Sequence, residues 1–96
     1  NVTTIVDRLF SPRQIFFHHL SNTLFIAEFG KDRIVRWDLT KNREGKSISD
    51  CRGCSGVAVS SNSEIYIVEQ QRHRVLRCPF DADRVENCVN VTGVTD

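Results

Sequence analysis

The stretch "IYIVEQQRHRVLRCP" (Ile65–Pro79) lies without a gap over an earlier one, "LFIAEFGKDRIVRWD" (Leu24–Asp38). Working outward, Ile15-Phe16-Phe17 corresponds to Val57-Ala58-Val59 upstream, with one extra residue in the turn of the first copy. Those turns read "HHLSNT" (His18–Thr23) and "SSNSE" (Ser60–Glu64), both polar and both suited to a hairpin. A third set, "TTIVD" (Thr3–Asp7), "KSISD" (Lys46–Asp50) and "TGVTD" (Thr92–Asp96), marks the same phase at three points along the chain. The repeat length of about 40–45 residues falls in the range of propeller blades.

Local chemistry assigns strands to each copy. Leu24-Phe25-Ile26-Ala27 and Ile65-Tyr66-Ile67-Val68 are continuous apolar runs. Their shortness and their β-branched and aromatic content favour strand over helix. Because they do not alternate, both faces are expected to be covered. The next strands, Arg33–Trp37 and Arg74–Cys78, are mixed in character and expected further out. No stretch carries a helical period. The pattern predicts an all-β fold of antiparallel four-stranded sheets packed face to face, with the second strand of each buried on both sides.

These residues resemble the NHL repeat. Gly56-Val57-Ala58-Val59, Ile65-Tyr66-Ile67-Val68-Glu69 and Arg72-His73-Arg74-Val75 match its Gly-Val-Ala-Val, Ile-Tyr-Val-Ala-Asp and Asn-His-Arg-Ile segments. The first copy departs further, with Gln14-Ile15-Phe16-Phe17 and Lys31-Asp32-Arg33-Ile34, and Glu28 and Glu69 stand where Asp is usual. The resemblance spans essentially the whole chain. It implies two blades of a six-bladed ring: residues 1–7 as the outer strand of a preceding blade, 8–50 as blade one and 51–96 as blade two. Two blades leave apolar faces uncovered, because propellers take at least about four. Further blades are therefore expected, from the same chain or from copies of it.

Composition limits the partners. The 96 residues carry 13 Lys and Arg against 12 Asp and Glu, a net charge of +1. That balance gives no global drive toward nucleic acid or an anionic membrane. No apolar run approaches the ~20 residues of a membrane span, and Asn1-Val2-Thr3 does not open a signal peptide. The four cysteines, Cys51, Cys54, Cys78 and Cys88, are even in number and suit an oxidising compartment. The sequons at Asn1 and Asn90 point to the same extracellular or secretory setting, as glycosylation sites. Free thiols would instead place the chain in the cytosol.

The basic cluster at Arg72, His73, Arg74 and Arg77 raises the question of a ligand site. Arg33 and Arg74 share one repeat position, and Glu28 and Glu69 share another just before it. Across a tight hairpin these ends lie side by side, so Glu28–Arg33 and Glu69–Arg74 are expected as charge-assisted scaffold pairs. Arg36 and Arg77 also repeat, with stems expected over apolar surface and heads in water. The turn residues Lys31, Asp32, Arg72 and His73 remain as binding candidates.

Four cysteines allow three pairings, and Cys78–Cys88 with Cys51–Cys54 is the favoured one. Zinc is the rival for Cys51-x-x-Cys54, but Cys78 and Cys88 lack a second C-x-x-C spacing, so no metal site is expected. A thioredoxin-like role wants that motif opening a helix. His18 and His19 sit in a polar turn, where solvation is the expectation. No catalytic motif occurs, and neither a catalytic residue nor a cofactor is expected. The leading functional expectation is a non-catalytic propeller segment for protein–protein recognition. The resemblance also covers propeller enzymes such as peptide-amidating lyases, and cytosolic NHL domains that bind RNA or accompany ubiquitin ligases.

Overall fold

The two apolar runs at the heart of the repeat become the second strands of two separate antiparallel sheets. The computed structural model describes residues 2–92. Sheet one contains β1 (Pro12–His18), β2 (Thr23–Glu28), β3 (Arg33–Asp38), β4 (Arg43–Glu44) and β5 (Ile48–Ser49). Sheet two contains β6 (Cys54–Val59), β7 (Ile65–Glu69), β8 (Arg74–Cys78) and β9 (Val89–Asn90), paired in that order. The fourth strand of sheet one is broken rather than continuous. β4 pairs with the Trp37–Asp38 end of β3, and β5 pairs with its Arg33–Ile34 end. Between them Gly45 N–H donates to the Arg36 carbonyl at 2.7 Å.

Backbone conformation repeats as the sequence does. Each β2–β3 type hairpin closes through a 3-10 turn, Phe29–Lys31 or Gln70–Arg72, and ends on a left-handed residue, Asp32 (φ 51°) or His73 (φ 52°). Asp and His are among the side chains that tolerate this region best. Asn22 and Ser63 take the same conformation in the other turns, as do Ser11 and Gly53 where each sheet is entered. The left-handed residue before those entries is Arg8 in the first copy and Asp50 in the second. The shared Asp7 and Asp50 are therefore one step out of structural register. Thr3–Asp7 forms no strand, and among the described residues there is no earlier sheet for it to join. The matching segment of the second copy supplies β5.

Sheet two packs its β6 across β1 and β2. Phe25, Ala27, Ile34 and Ile48 meet Val57, Val59, Ile65, Ile67 and Leu76 in one core. Burying each such side chain is worth about 1.5–3 kcal/mol. Polar links cross the same seam as well. The Gln14 Oε1 accepts from Val57 N–H at 2.7 Å, Asp32 Oδ1 accepts from Gly53 N–H at 3.0 Å, and Ser49 N–H donates to the Asp83 carbonyl at 2.9 Å.

The expectation that both second strands are covered on both faces holds for β2 and not for β7. Phe25, Ile26, Ala27 and Glu28 are all buried. In β7, Ile65, Ile67 and Glu69 are buried, Tyr66 is half-buried and Val68 is exposed. Each sheet has one neighbouring sheet among the described residues, but residues 4–10 also border the far side of sheet one, beside Val35 and through the Phe10 N–H bond to Glu28, and no such segment borders the far side of sheet two among the described residues. An apolar run specifies a strand able to be covered twice; it does not supply the second cover.

Candidate functional site

One end of the molecule gathers the 3-10 turns, the entry segments before β1 and β6, and most of the arginines. Glu28 and Glu69 organise it. Each stands opposite its arginine in the hairpin register, Glu28 across from Arg33 and Glu69 across from Arg74. Both carboxylates are fully buried. Glu28 accepts from Arg33 Nε at 2.6 Å and from the Phe10 backbone N–H at 2.9 Å. Glu69 accepts from Arg74 Nε at 2.5 Å, from the Arg52 backbone N–H at 2.8 Å and from Arg72 Nη1 at 3.2 Å. A buried carboxylate needs such partners, because desolvation without them is costly. In return each buckles the entry segment onto the hairpin end of its own sheet.

The turn candidates separate by what they touch. Lys31 Nζ lies 4.6 Å from the centre of the Phe10 ring, a cation–π contact. Asp32 is committed to the seam through Gly53 N–H. Arg72 pairs with Glu69 yet keeps about a third of its side chain exposed. His73 is exposed, and its ring has no partner among the described residues. Arg33 also reaches Glu44 Oε2 at 3.1 Å, whereas Arg74 has no such second carboxylate among its ion pairs.

Two open cavities flank this end. One, of about 450 Å³, is bounded by residues 4–9 with Arg33, Val35, Trp37 and Glu44. The indole Nε1 of Trp37 is buried without a hydrogen-bond partner among the described residues. The other, of about 310 Å³, is lined by Asp50, Arg52, Arg72, Arg74, Val85 and Glu86. Nearby, the exposed Arg84 guanidinium is raised above its ordinary pKa, first by its hydrogen bond to Glu86 and then by the charges of Glu86, Asp83 and Asp50.

Arg36 departs from the wet-headed role expected for it. Its Nη1 donates to the Lys46 carbonyl at 2.5 Å and its Nη2 to the Phe80 carbonyl of sheet two's outer loop. Its guanidinium lies 5.7 Å from the Phe25 ring centre and 5.8 Å from that of Phe80. Burial lowers its pKa from the ordinary arginine value, against the opposing pull of Asp81 and Asp83. His18 departs likewise. Phe80, at 5.2 Å between ring centres, covers it, and its Nδ1 lies 2.6 Å from Ser21 Oγ. Both residues are enclosed by the neighbouring sheet, which a reading of one strand at a time does not contain. Gln14 is a seam residue that the strand pattern does not mark. Its signal was that the repeat places Gly56 at the same point, so the amide side chain had no scaffold counterpart.

The cysteines form two disulfides, Cys51–Cys54 and Cys78–Cys88, and none of the four is free. Among the described residues no group of three or more His, Cys, Asp and Glu side chains is placed to hold a metal ion. No helix of the described residues is long and apolar enough to cross a membrane. Asn90 Oδ1 accepts from Thr92 N–H at 3.0 Å and Thr92 Oγ1 at 2.6 Å, so the sequon is folded on itself. Asn1 lies outside the described residues. Compared with known proteins, the chain matches no family model and no curated protein.

Proposed function

We propose that this chain is a pair of NHL-type propeller blades from an extracellular, non-catalytic recognition protein, and that its turn end is presented to a protein partner. One observation carries the reading. The buckles at Glu28 and Glu69 repeat in geometry, while the turns they hold do not repeat in sequence, "FGKD" in one copy and "QQRH" in the other. A constant scaffold with variable rigid turns is the arrangement that recognition surfaces favour. Of the four turn candidates, Lys31 and Arg72 suit this role best, since Asp32 is taken up between the sheets. The two disulfides suit an oxidising compartment. Further blades on either side complete the ring in this reading.

The test is a selection of peptides from a random displayed library on the oxidised wild-type chain, followed by affinity measurement on Lys31→Ala/Arg72→Ala. Selected peptides are expected to bind the double variant at least about tenfold more weakly, a change of about 1.4 kcal/mol. Equal binding to both proteins overturns the site. Alkylation of the native protein before reduction checks the compartment: blocked thiols fit secretion, and four alkylated cysteines reject it.

A further inference from the structure

We propose that the far faces of the two sheets, exposed at Ile15 and Phe17 beside the buried Ile26 and Val35 on sheet one and at Val68 on sheet two, dock onto each other between copies of this chain, sheet one of one copy receiving sheet two of the next. The template is the contact that the chain makes within itself. Sheet two offers Val57 and Val59 to sheet one, and these are 4% and 8% exposed. Their repeat counterparts on the opposite side of sheet one are Ile15 and Phe17, equally apolar but 61% and 51% exposed. The other half of the contact is duplicated too. Sheet one offers Phe25 and Ala27 to sheet two, both fully buried. The counterparts on the far side of sheet two are Tyr66, half-buried, and Val68, 40% exposed.

The Asp32–Gly53 link and the Arg36 clamp have counterparts as well, whereas the Gln14–Val57 link has none because Gly56 stands at the repeat position of Gln14. Asp32, which takes the Gly53 N–H, corresponds to His73, with the same left-handed backbone and an uncommitted ring. Gly53 corresponds to Ser11, which enters sheet one in the same left-handed conformation. Arg36, clamped between the sheets, corresponds to Arg77, which holds only a 3.6 Å contact with the half-exposed Glu64. Each open face is therefore the complement of the other and not of itself. That is the condition for a heterologous contact, which repeats until it closes. If it closes as a ring of roughly four to eight sheets, the assembly holds about two to four copies.

The assembly rests on residues separate from the turn residues Lys31 and Arg72, so the two readings fail separately. The experiment is native mass spectrometry and sedimentation of the oxidised chain, with Phe17→Asp blocking one face and Val68→Asp the other. Both side chains are exposed within a single copy, so far-UV circular dichroism should match wild type, while the melting temperature should fall and lose its dependence on concentration. Ile15→Lys replaces Phe17→Asp should that variant fail to fold. Wild type is expected at about two to four times the chain mass. Each variant alone is expected at the single-chain mass. Their equimolar mixture is expected to form a dimer that grows no further, because it joins the one intact face of each. A wild-type chain that stays single at high micromolar concentration overturns the proposal. So does a mixture that stays single, or one variant that assembles like wild type. Lys31→Ala/Arg72→Ala should assemble normally, whatever it does to peptide binding.

Discussion

At the scale of single residues, Glu69 carries the most concentrated set of interactions, three hydrogen bonds on one fully buried carboxylate. Glu69→Ala removes all three and leaves the Arg52 backbone N–H short of its partner. Hydrogen bonds to charged groups and buried pairs of this kind set the loss at about 2–4 kcal/mol, read as a lowered urea midpoint. Arg77→Ala, made in the single-chain Phe17→Asp background, is the control, expected within about 0.5 kcal/mol because its ion pair among the described residues is a partly exposed one. Gly53 is constrained twice over. Its φ of +66° disfavours a side chain, and an added Cβ would lie 2.7 Å from Gln71 Cγ and 3.0 Å from Gln71 N. Gly53→Ala is expected to cost about 1–3 kcal/mol by thermal or urea unfolding.

At the scale of elements, β8 and β9 show how a short outer strand is retained. β9 pairs with β8 through Leu76↔Asn90 and Arg77↔Val89, with one further backbone bond from Val91 N–H to the Val75 carbonyl, and its link to β8 runs through a loop and the 3-10 turn Val85–Asn87. The Cys78–Cys88 bridge closes that loop, with a sequence separation of 10. Cys78→Ser/Cys88→Ser is expected to lose about 3 kcal/mol, the loop-closure entropy of such a ring. Amide exchange in Val89–Asn90 should rise more than in β7, because the unstapled strand opens without the rest of the sheet. Equal exchange in both strands would show that the bridge does not act on β9 in particular.

At the scale of the whole molecule, the seam between the sheets decides which repeated residues become structural. Arg36 bonds the Phe80 carbonyl across it and the Lys46 carbonyl within its own sheet, while Arg77, in the same repeat position, faces outward. Arg36→Ala should therefore destabilise the chain by about 1.5–3 kcal/mol, the range for hydrogen bonds made by a charged group. Arg36→Lys should recover only part of this, since an ammonium lacks the planar fork that spans the Lys46 and Phe80 carbonyls. Thermal unfolding of both variants beside Arg77→Ala, all in the single-chain Phe17→Asp background, measures the asymmetry. A loss at Arg36 as small as that at Arg77 would mean that the clamp contributes nothing.

What the amino-acid sequence determined by itself is local and repeated. The β-branched and aromatic runs specify strands, the polar turns between them specify antiparallel hairpins, and hairpin register alone sets Glu28 opposite Arg33 and Glu69 opposite Arg74. The same locality brings Cys78 and Cys88 together across one loop. Only the tertiary structure decided what lies between the copies. Ile67 and Val68 are neighbours in one apolar run, yet one is buried and the other exposed, because a strand does not encode which of its faces meets a second sheet. Asp32, Arg36 and His18 are polar residues in turns and outer strands, and their sequence surroundings are those of solvated side chains. Each became an inter-sheet contact because the partner, Gly53 or Phe80, lies in the other copy of the repeat and is brought close only by stacking.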